Sequence, residues 1–199
     1  MSAVLWPLET VLGAKARLIE GPVVLRPPRP SDYAAWAQLR RDSQAFLTPW
    51  EPAWAEDELE LPVFLAKVRR YRADARESRA HAFFVFRAED DTLVGGASLR
   101  HIRRGAAQCC TLGYWVGERF ARRGYTKAAV QALIGFAFGD LDLHRIEASC
   151  MPENAPSIGV LQQAGFTLEG RARKYLRING AWRDHLLFAL MQEGVPPLG

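Results

Sequence analysis

Residues 112 to 138 read Leu-Gly-Tyr-Trp-Val-Gly-Glu-Arg-Phe-Ala-Arg-Arg-Gly-Tyr-Thr-Lys-Ala-Ala-Val-Gln-Ala-Leu-Ile-Gly-Phe-Ala-Phe. The stretch divides into three. Thr111 to Val116 is rich in aromatic and β-branched residues and bounded by glycine, which predicts a strand. Val130, Leu133, Ile134 and Ala137 stand at i, i+3, i+4 and i+7, the stripe of an amphipathic helix. Between them lies a basic turn, Arg119 to Thr126, whose Gly124 opens the helix. A strand that feeds a helix through such a turn leaves several backbone N–H groups pointing outward, with the positive end of the helix dipole behind them. That is an anion site. Arg122, Arg123 and Lys127 add charge suited to a phosphate-bearing ligand. The turn lacks the Gly-Lys-Ser/Thr of a Walker loop and the three spaced glycines of a dinucleotide fingerprint. Alone, it reads more simply as a solvated basic loop capping a core helix.

The same logic extends along the chain in both directions. Val23 to Arg26 is a short strand, ended by Pro27, Pro28 and Pro30. Ser31-Asp32 caps a helix reaching about Arg41. Phe46 to Pro52 is an aromatic loop held between two prolines, and Leu61 to Arg72 is a second helix. Ala82–Phe86 and Leu93–Leu99 alternate around Glu89-Asp90-Asp91 as a hairpin, and Cys109–Val116 is the strand that enters the central turn. Arg145–Cys150 is a strand, and a helix from Ser157 to Ala164 stops at Gly165. Phe166–Ile178 and Ala181–Leu190 flank Asn179-Gly180, a two-residue hairpin signal. The expected architecture is α/β (mixed α+β): a central mixed, twisted sheet of about seven strands with helices on both faces.

Composition narrows the function classes. A chain of 199 residues, 49% hydrophobic and 24% charged, is ordinary for one globular domain that needs no staples. The net charge of +4 suits a polyanionic ligand without demanding nucleic acid. Three cysteines, two of them adjacent (Cys109, Cys110) and the third at Cys150, make no disulfide framework, so a reducing cytoplasm is the expected location. The four histidines have no ligand spacing, so no metal is expected. No leader and no long apolar span is seen, so neither secretion nor membrane insertion is expected.

Leu112-Gly-Tyr-Trp-Val116, Ala121-Arg-Arg-Gly-Tyr-Thr126 and Asn154 to Gly165, in that order, resemble the coenzyme-binding core of the GNAT N-acetyltransferases. Phe46-Leu-Thr-Pro-Trp-Glu-Pro52, Met151-Pro-Glu-Asn154 and Gly180-Ala-Trp-Arg-Asp-His185 resemble the ribosomal-protein-alanine N-acetyltransferase (RimJ/RimL) branch. The resemblance implies the GNAT fold over residues 18–195 as a single domain, after an N-terminal extension of residues 1–17. It implies acetyl-CoA as co-substrate, with no metal. Residues Ala121 to Thr126 fall on the family's pyrophosphate loop, with Ala121 in place of a long polar residue and Thr126 in place of a small one. The implied coenzyme contacts are Tyr114, Trp115 and Val116 along the pantetheine arm, Arg122, Arg123, Gly124, Tyr125 and Thr126 at the phosphates, and Asn154 and Ser157 beside the amide and sulfur.

Acetyl transfer from a thioester to an amine needs a neutral nucleophile, donors for the developing oxyanion and a tolerable leaving group. A backbone N–H at Trp115 or Val116 is the candidate oxyanion donor. Ser157 is the candidate to hydrogen-bond or protonate the departing sulfur; the bland alternative is a helix N-cap. A thiol of pKa near ~8.5 leaves without much help. At pH 7.5 an α-amine of pKa ~7.8 is about one-third neutral, against roughly one in 800 for a lysine, so a protein N-terminus needs only a modest base. Leu176 occupies the position where some members carry a glutamate, so the base is unassigned. Glu51 either holds or deprotonates the amine, or is a surface carboxylate. Trp50, Glu51, Tyr175 and Asp184 are the candidate acceptor contacts, with packing and a bond across the last hairpin as the plain alternatives. The expected activity is transfer to a protein N-terminal α-amine, plausibly of a ribosomal protein. Expected alongside it are ribosome association, no membrane and no specific DNA binding, and a monomer or homodimer. The competing readings are a small-amine or antibiotic acetyltransferase on the same fold and a non-catalytic basic RNA-binding protein.

Overall fold

The computed structural model describes residues 17–192, so the expected N-terminal extension and residues 193–195 of the expected domain lie outside it. The strands are β1 (Leu18–Glu20), β2 (Val23–Arg26), β3 (His81–Arg87), β4 (Leu93–Arg103), β5 (Cys109–Val116), β6 (Arg145–Cys150), β7 (Thr167–Ile178) and β8 (Ala181–Met191). They form one sheet in the order β1-β2-β3-β4-β5-β6-β8-β7. Every neighbouring pair is antiparallel except β5 with β6. The sheet thus has eight strands rather than about seven. The added one, β1, is only three residues long and leaves Ile19 64% exposed, so it carries little apolar signal.

Consecutive residues Leu93 to Ala97 of β4 are all buried, which requires cover on both faces of the sheet. That cover comes from α1 (Tyr33–Asp42), α2 (Gln44–Leu47), α3 (Leu61–Arg76), α4 (Tyr125–Gly135) and α5 (Ala155–Gln163). The stripe read on α4 is real: Val130, Leu133 and Ala137 are buried, and a π turn at Phe136–Asp140 extends the helix. Asn179 and Gly180 both have positive φ, the demand of a two-residue type I′ turn, so the last hairpin closes where the sequence placed it.

Two local readings are corrected. Asp32 does not cap α1. Its carboxylate accepts from the Arg29 amide at 2.7 Å and pairs with the Arg26 guanidinium, closing a 3-10 turn at Pro30–Asp32. The stretch expected as an aromatic loop is the end of α2 followed by a 3-10 turn, Thr48–Trp50, with Pro49 in the first turn where its missing N–H costs nothing.

His81 of β3 is 5% exposed, its ring edge-on to Phe136, and its Nε2 has no partner among the described residues. Burial, and then the charge of Arg104, hold its pKa below the ordinary 6.5. The folded protein therefore keeps His81 neutral at a pH where the unfolded chain has taken up a proton. Stability from this site is complete above about 6.5 and is lost as pH falls from there towards the folded value. The melting temperature of H81L is expected to fall less between pH 7 and pH 5 than that of the parent, as thermal unfolding at each pH will read.

Candidate active site

Strand β5 pairs with β6 only through Cys109, Cys110 and Thr111, which lie opposite Arg145, Ile146 and Glu147. Beyond Thr111 the two strands part. Leu112 to Val116 stay bonded to β4 on one side and have no strand on the other among the described residues. The Gly117 amide donates to the Val94 carbonyl of β4 at 2.9 Å. Backbone groups alternate sides along a strand, so the N–H groups of Val116 and Tyr114 face the gap, while that of Trp115 faces β4. The oxyanion donor expected at Trp115 or Val116 thus has only Val116 in a position to serve.

The turn after β5 ends against α4. Ala121 donates to the Glu118 carbonyl, and the next backbone donor in the chain with a backbone acceptor is Ala128, to Gly124. The six amides of Arg122 to Lys127 have no backbone acceptor among the described residues. Arg122 and Gly124 take left-handed φ of 61° and 80°, and this alternation gathers the amides into a concave cluster at the start of α4. Arg122, Arg123 and Lys127 have no carboxylate partner among the described residues. Gly95, Gly96, Val116, Tyr125 and Thr126 line a cleft between this cluster and the end of β5.

On the far side of the gap, α5 begins with Asn154 as its N-cap, the Asn154 Oδ1 accepting from the Ser157 amide at 3.1 Å. Ser157 is therefore one turn inside the helix, and its hydroxyl is not the cap. Instead Ser157 Oγ lies 2.8 Å from the Tyr114 hydroxyl, which is also 3.3 Å from the Ser157 carbonyl. Burial pushes the Tyr114 phenol up to about 12, partly offset by its bond to Ser157, so it is a protonated donor at any working pH. Cys150, at the end of β6, is also pushed up by burial, with the neighbouring Ser157 hydroxyl acting the other way. Two hydroxyls bonded to one another therefore stand beside the open stretch of β5.

The chain matches the acetyltransferase (GNAT) domain family over residues 23–167. The chain belongs to the GNAT family of N-acetyltransferases. It is 32% identical over 176 residues to the [ribosomal protein uS5]-alanine N-acetyltransferase of Escherichia coli, covering 88% of this chain and 91% of that one. Mycobacterium smegmatis RimJ, solved in complex with CoA-disulfide, superposes with a TM-score of 0.83 at 36% identity, covering 91% of this chain and 88% of that one. The ribosomal-protein-S5-alanine acetyltransferase of Vibrio fischeri gives 0.85 at 27% identity, covering 92% of this chain and all of that one.

In this GNAT enzyme the Trp50-Glu51 segment is tied to β5 by a residue the sequence did not single out. Arg40 of α1, 6% exposed, donates from both terminal nitrogens to Glu51, at 2.8 and 2.6 Å. Trp54 Nε1 donates to the same carboxylate at 2.8 Å. The Arg40 guanidinium lies between two indoles, 4.2 Å from Trp54 and 4.9 Å from Trp115. Trp115 lies over Gly96, where any Cβ would come within 2.4 Å of its Nε1. Gly117 likewise leaves room for Leu39, which lets α1 close on the end of β5. Helical spacing identified α1, but nothing in it marks Arg40 as paired with a residue eleven positions on.

The remaining acceptor candidates are dispersed. Trp50 is 36% exposed. Asp184 accepts from the Lys174 amide and from Arg171, and these bonds hold it below the usual carboxylate range, so it serves the last hairpin. Tyr175 packs against His185 on that hairpin. The hairpin touches the acceptor segment where the Asn179 amide donates to the Glu51 carbonyl at 2.9 Å.

Proposed function

We propose that this GNAT enzyme transfers an acetyl group from acetyl-CoA to the N-terminal α-amine of a protein, a ribosomal protein being the favoured class. The observation that carries the reading is the unpartnered stretch Leu112–Val116 opening onto the six free amides of Arg122–Lys127. That combination fits a ligand with a diphosphate at one end and an extended amide-bearing arm, and it supports the expected contacts at Tyr114 to Val116 and Arg122 to Thr126. Acetyl-CoA supplies a thioester carbonyl and a thiolate leaving group. Val116 N–H is placed to donate to the carbonyl oxygen, a fixed dipole that needs no reorganisation. Tyr114 and Ser157 share a hydrogen bond between their hydroxyls, and an O–H of this pair donates to the departing sulfur; the proton the amine loses on forming the amide passes through solvent to that thiolate. Asn154 sets the start of α5 and so the position of Ser157.

Glu51, with both oxygens engaged, acts by holding the acceptor segment rather than by taking a proton. An α-amine, partly neutral at working pH, tolerates this arrangement, whereas a lysine does not. Likeness to the uS5-alanine enzyme and to RimJ supports the protein acceptor. Incubation with acetyl-CoA and short peptides, free or blocked at the N-terminus, followed by mass analysis, tests the reading. Mass gain is expected only on the free peptides. Acetylation confined to internal lysines or to small amines overturns it.

The phosphate end has its own test. Valine at position 124 has to adopt a φ of +80°, which costs about 1–2 kcal/mol, and relieving that strain rotates the amides away from one another. G124V is expected to weaken acetyl-CoA binding about tenfold or more in calorimetry, with only a few degrees lost in melting temperature.

A further inference from the structure

The last hairpin carries more cation and more exposed apolar surface than its own folding uses. Strand β7 is the edge of the sheet, and Arg173 to Arg177 are all exposed. The hairpin's two carboxylates are taken, Glu169 by Arg145 and Asp184 by Arg171. Arg173, Lys174, Arg177 and Arg183 have no carboxylate partner among the described residues. Between these charges stand Trp182, 61% exposed, Tyr175 at 48% and Leu176 at 40%. The register sets Trp182 opposite Arg177 on one face of the ribbon and Leu176 opposite Arg183 on the other, so each of these two apolar groups has a cation beside it. Guarding an edge strand against aggregation accounts for Lys174 and for the irregular pairing between Ala172 and Leu176. It does not account for Trp182 or Leu176, which work against that end.

Position supplies the rest. The turn of this hairpin is bonded to the acceptor segment through Asn179 and Glu51, so the ribbon begins where a bound acceptor would leave the site. We infer that the free edge of β7, with the side chains on both faces of the β7–β8 ribbon beside it, is a docking strip for an acidic polypeptide, the residues that follow the acceptor amine; a strand added at that edge alternates its own side chains between the two faces. This rests on the reading of the acceptor as a protein N-terminus. Carboxylates meet the four unpaired cations, and apolar side chains between them meet Trp182, Tyr175 and Leu176. An edge strand also offers its backbone to an extended polypeptide, which favours a peptide over RNA as the occupant.

Two sets of peptides test the strip, identical in their first three residues and differing only in whether the next five include Asp and Glu or Asn and Gln. N-acetylated versions report binding alone, through the anisotropy of a labelled peptide; unblocked versions report turnover. The acidic peptide is expected to bind about tenfold tighter, the sum of several weak exposed pairs, with an advantage that shrinks as salt rises. In R173Q/R177Q/R183Q the advantage disappears while acetyl-CoA affinity and melting temperature stay as in the parent. Equal binding of the two peptides by the unaltered chain overturns the inference, whatever the variant does. It also falls if an RNA oligonucleotide binds tighter than the acidic peptide and is lost in the variant, or if the charges instead govern self-association. Acidic peptides that bind but are never acetylated leave the strip standing and remove the N-terminal acceptor reading.

Discussion

The Y114F/S157A protein is expected to bind acetyl-CoA as the parent does and to turn it over about a hundredfold more slowly. The two hydroxyls lie 2.8 Å apart across 43 residues of chain, and they are the side-chain donors that the structure brings together at the gap. General acid assistance is typically worth 10²–10⁴-fold; the low end applies here, because a thiolate already leaves fairly well. S157A alone is expected to show most of the loss and Y114F a smaller part, since Tyr114 acts through Ser157. Thiol release followed with a peptide acceptor reads kcat, and the acetyl-CoA KM is expected to stay put. Because burial holds the Tyr114 phenol near about 12, removing it should not alter the alkaline limb of the pH profile below about pH 10. Full activity in both single variants would remove these groups from the chemistry.

R40A is expected to lose about 2–4 kcal/mol of stability, or roughly 5–15 °C in melting temperature for a chain of this size. Arg40 is almost fully buried, so its removal strands the Glu51 carboxylate and leaves a void between two indoles. Glu51 retains some solvent, at 22% exposure, which keeps the loss below that of a fully buried pair. R40K keeps the charge but neither the fork nor the flat stack, and is expected to recover less than half. R40A/E51Q is expected to be more stable than R40A, because the stranded charge goes with the arginine; the cycle of single and double variants measures that coupling. Turnover should fall in R40A as well, since Trp115 immediately precedes the amide proposed to meet the carbonyl oxygen. A double variant no more stable than R40A would refute the clamp.

What could be read along the chain was local. Gly124 marked the start of α4 because only the left-handed region turns a strand so sharply into a helix, and Asn179-Gly180 marked the last turn for the same kind of reason. The strand at Cys109–Val116 and the stripe at Val130 to Ala137 followed from periods of two and 3.6. The resemblance to the family rested on the motif residues themselves, Ala121 to Thr126 and Asn154 to Gly165 among them. β1 escaped because three residues, two of them exposed, show no alternation, and α2 because Pro49 and Pro52 just after it made its stretch read as a loop.

The working parts of the site were of another kind. Ser157 stood as a sulfur donor with a helix cap as the alternative until Asn154 was found in the cap position, and Tyr114 entered as backbone alone until its phenol reached Ser157. Glu51 was open to several readings because a carboxylate's role depends on what shares its space, and Arg40 is what does. The choice of Val116 over Trp115 depends on which way an amide faces, which only the pairing with β4 decides. Secondary structure is set by neighbours in the chain and so is written in it. Hydrogen bonds and ion pairs between distant residues come into being only when the sheet forms, and that is where this enzyme keeps its chemistry.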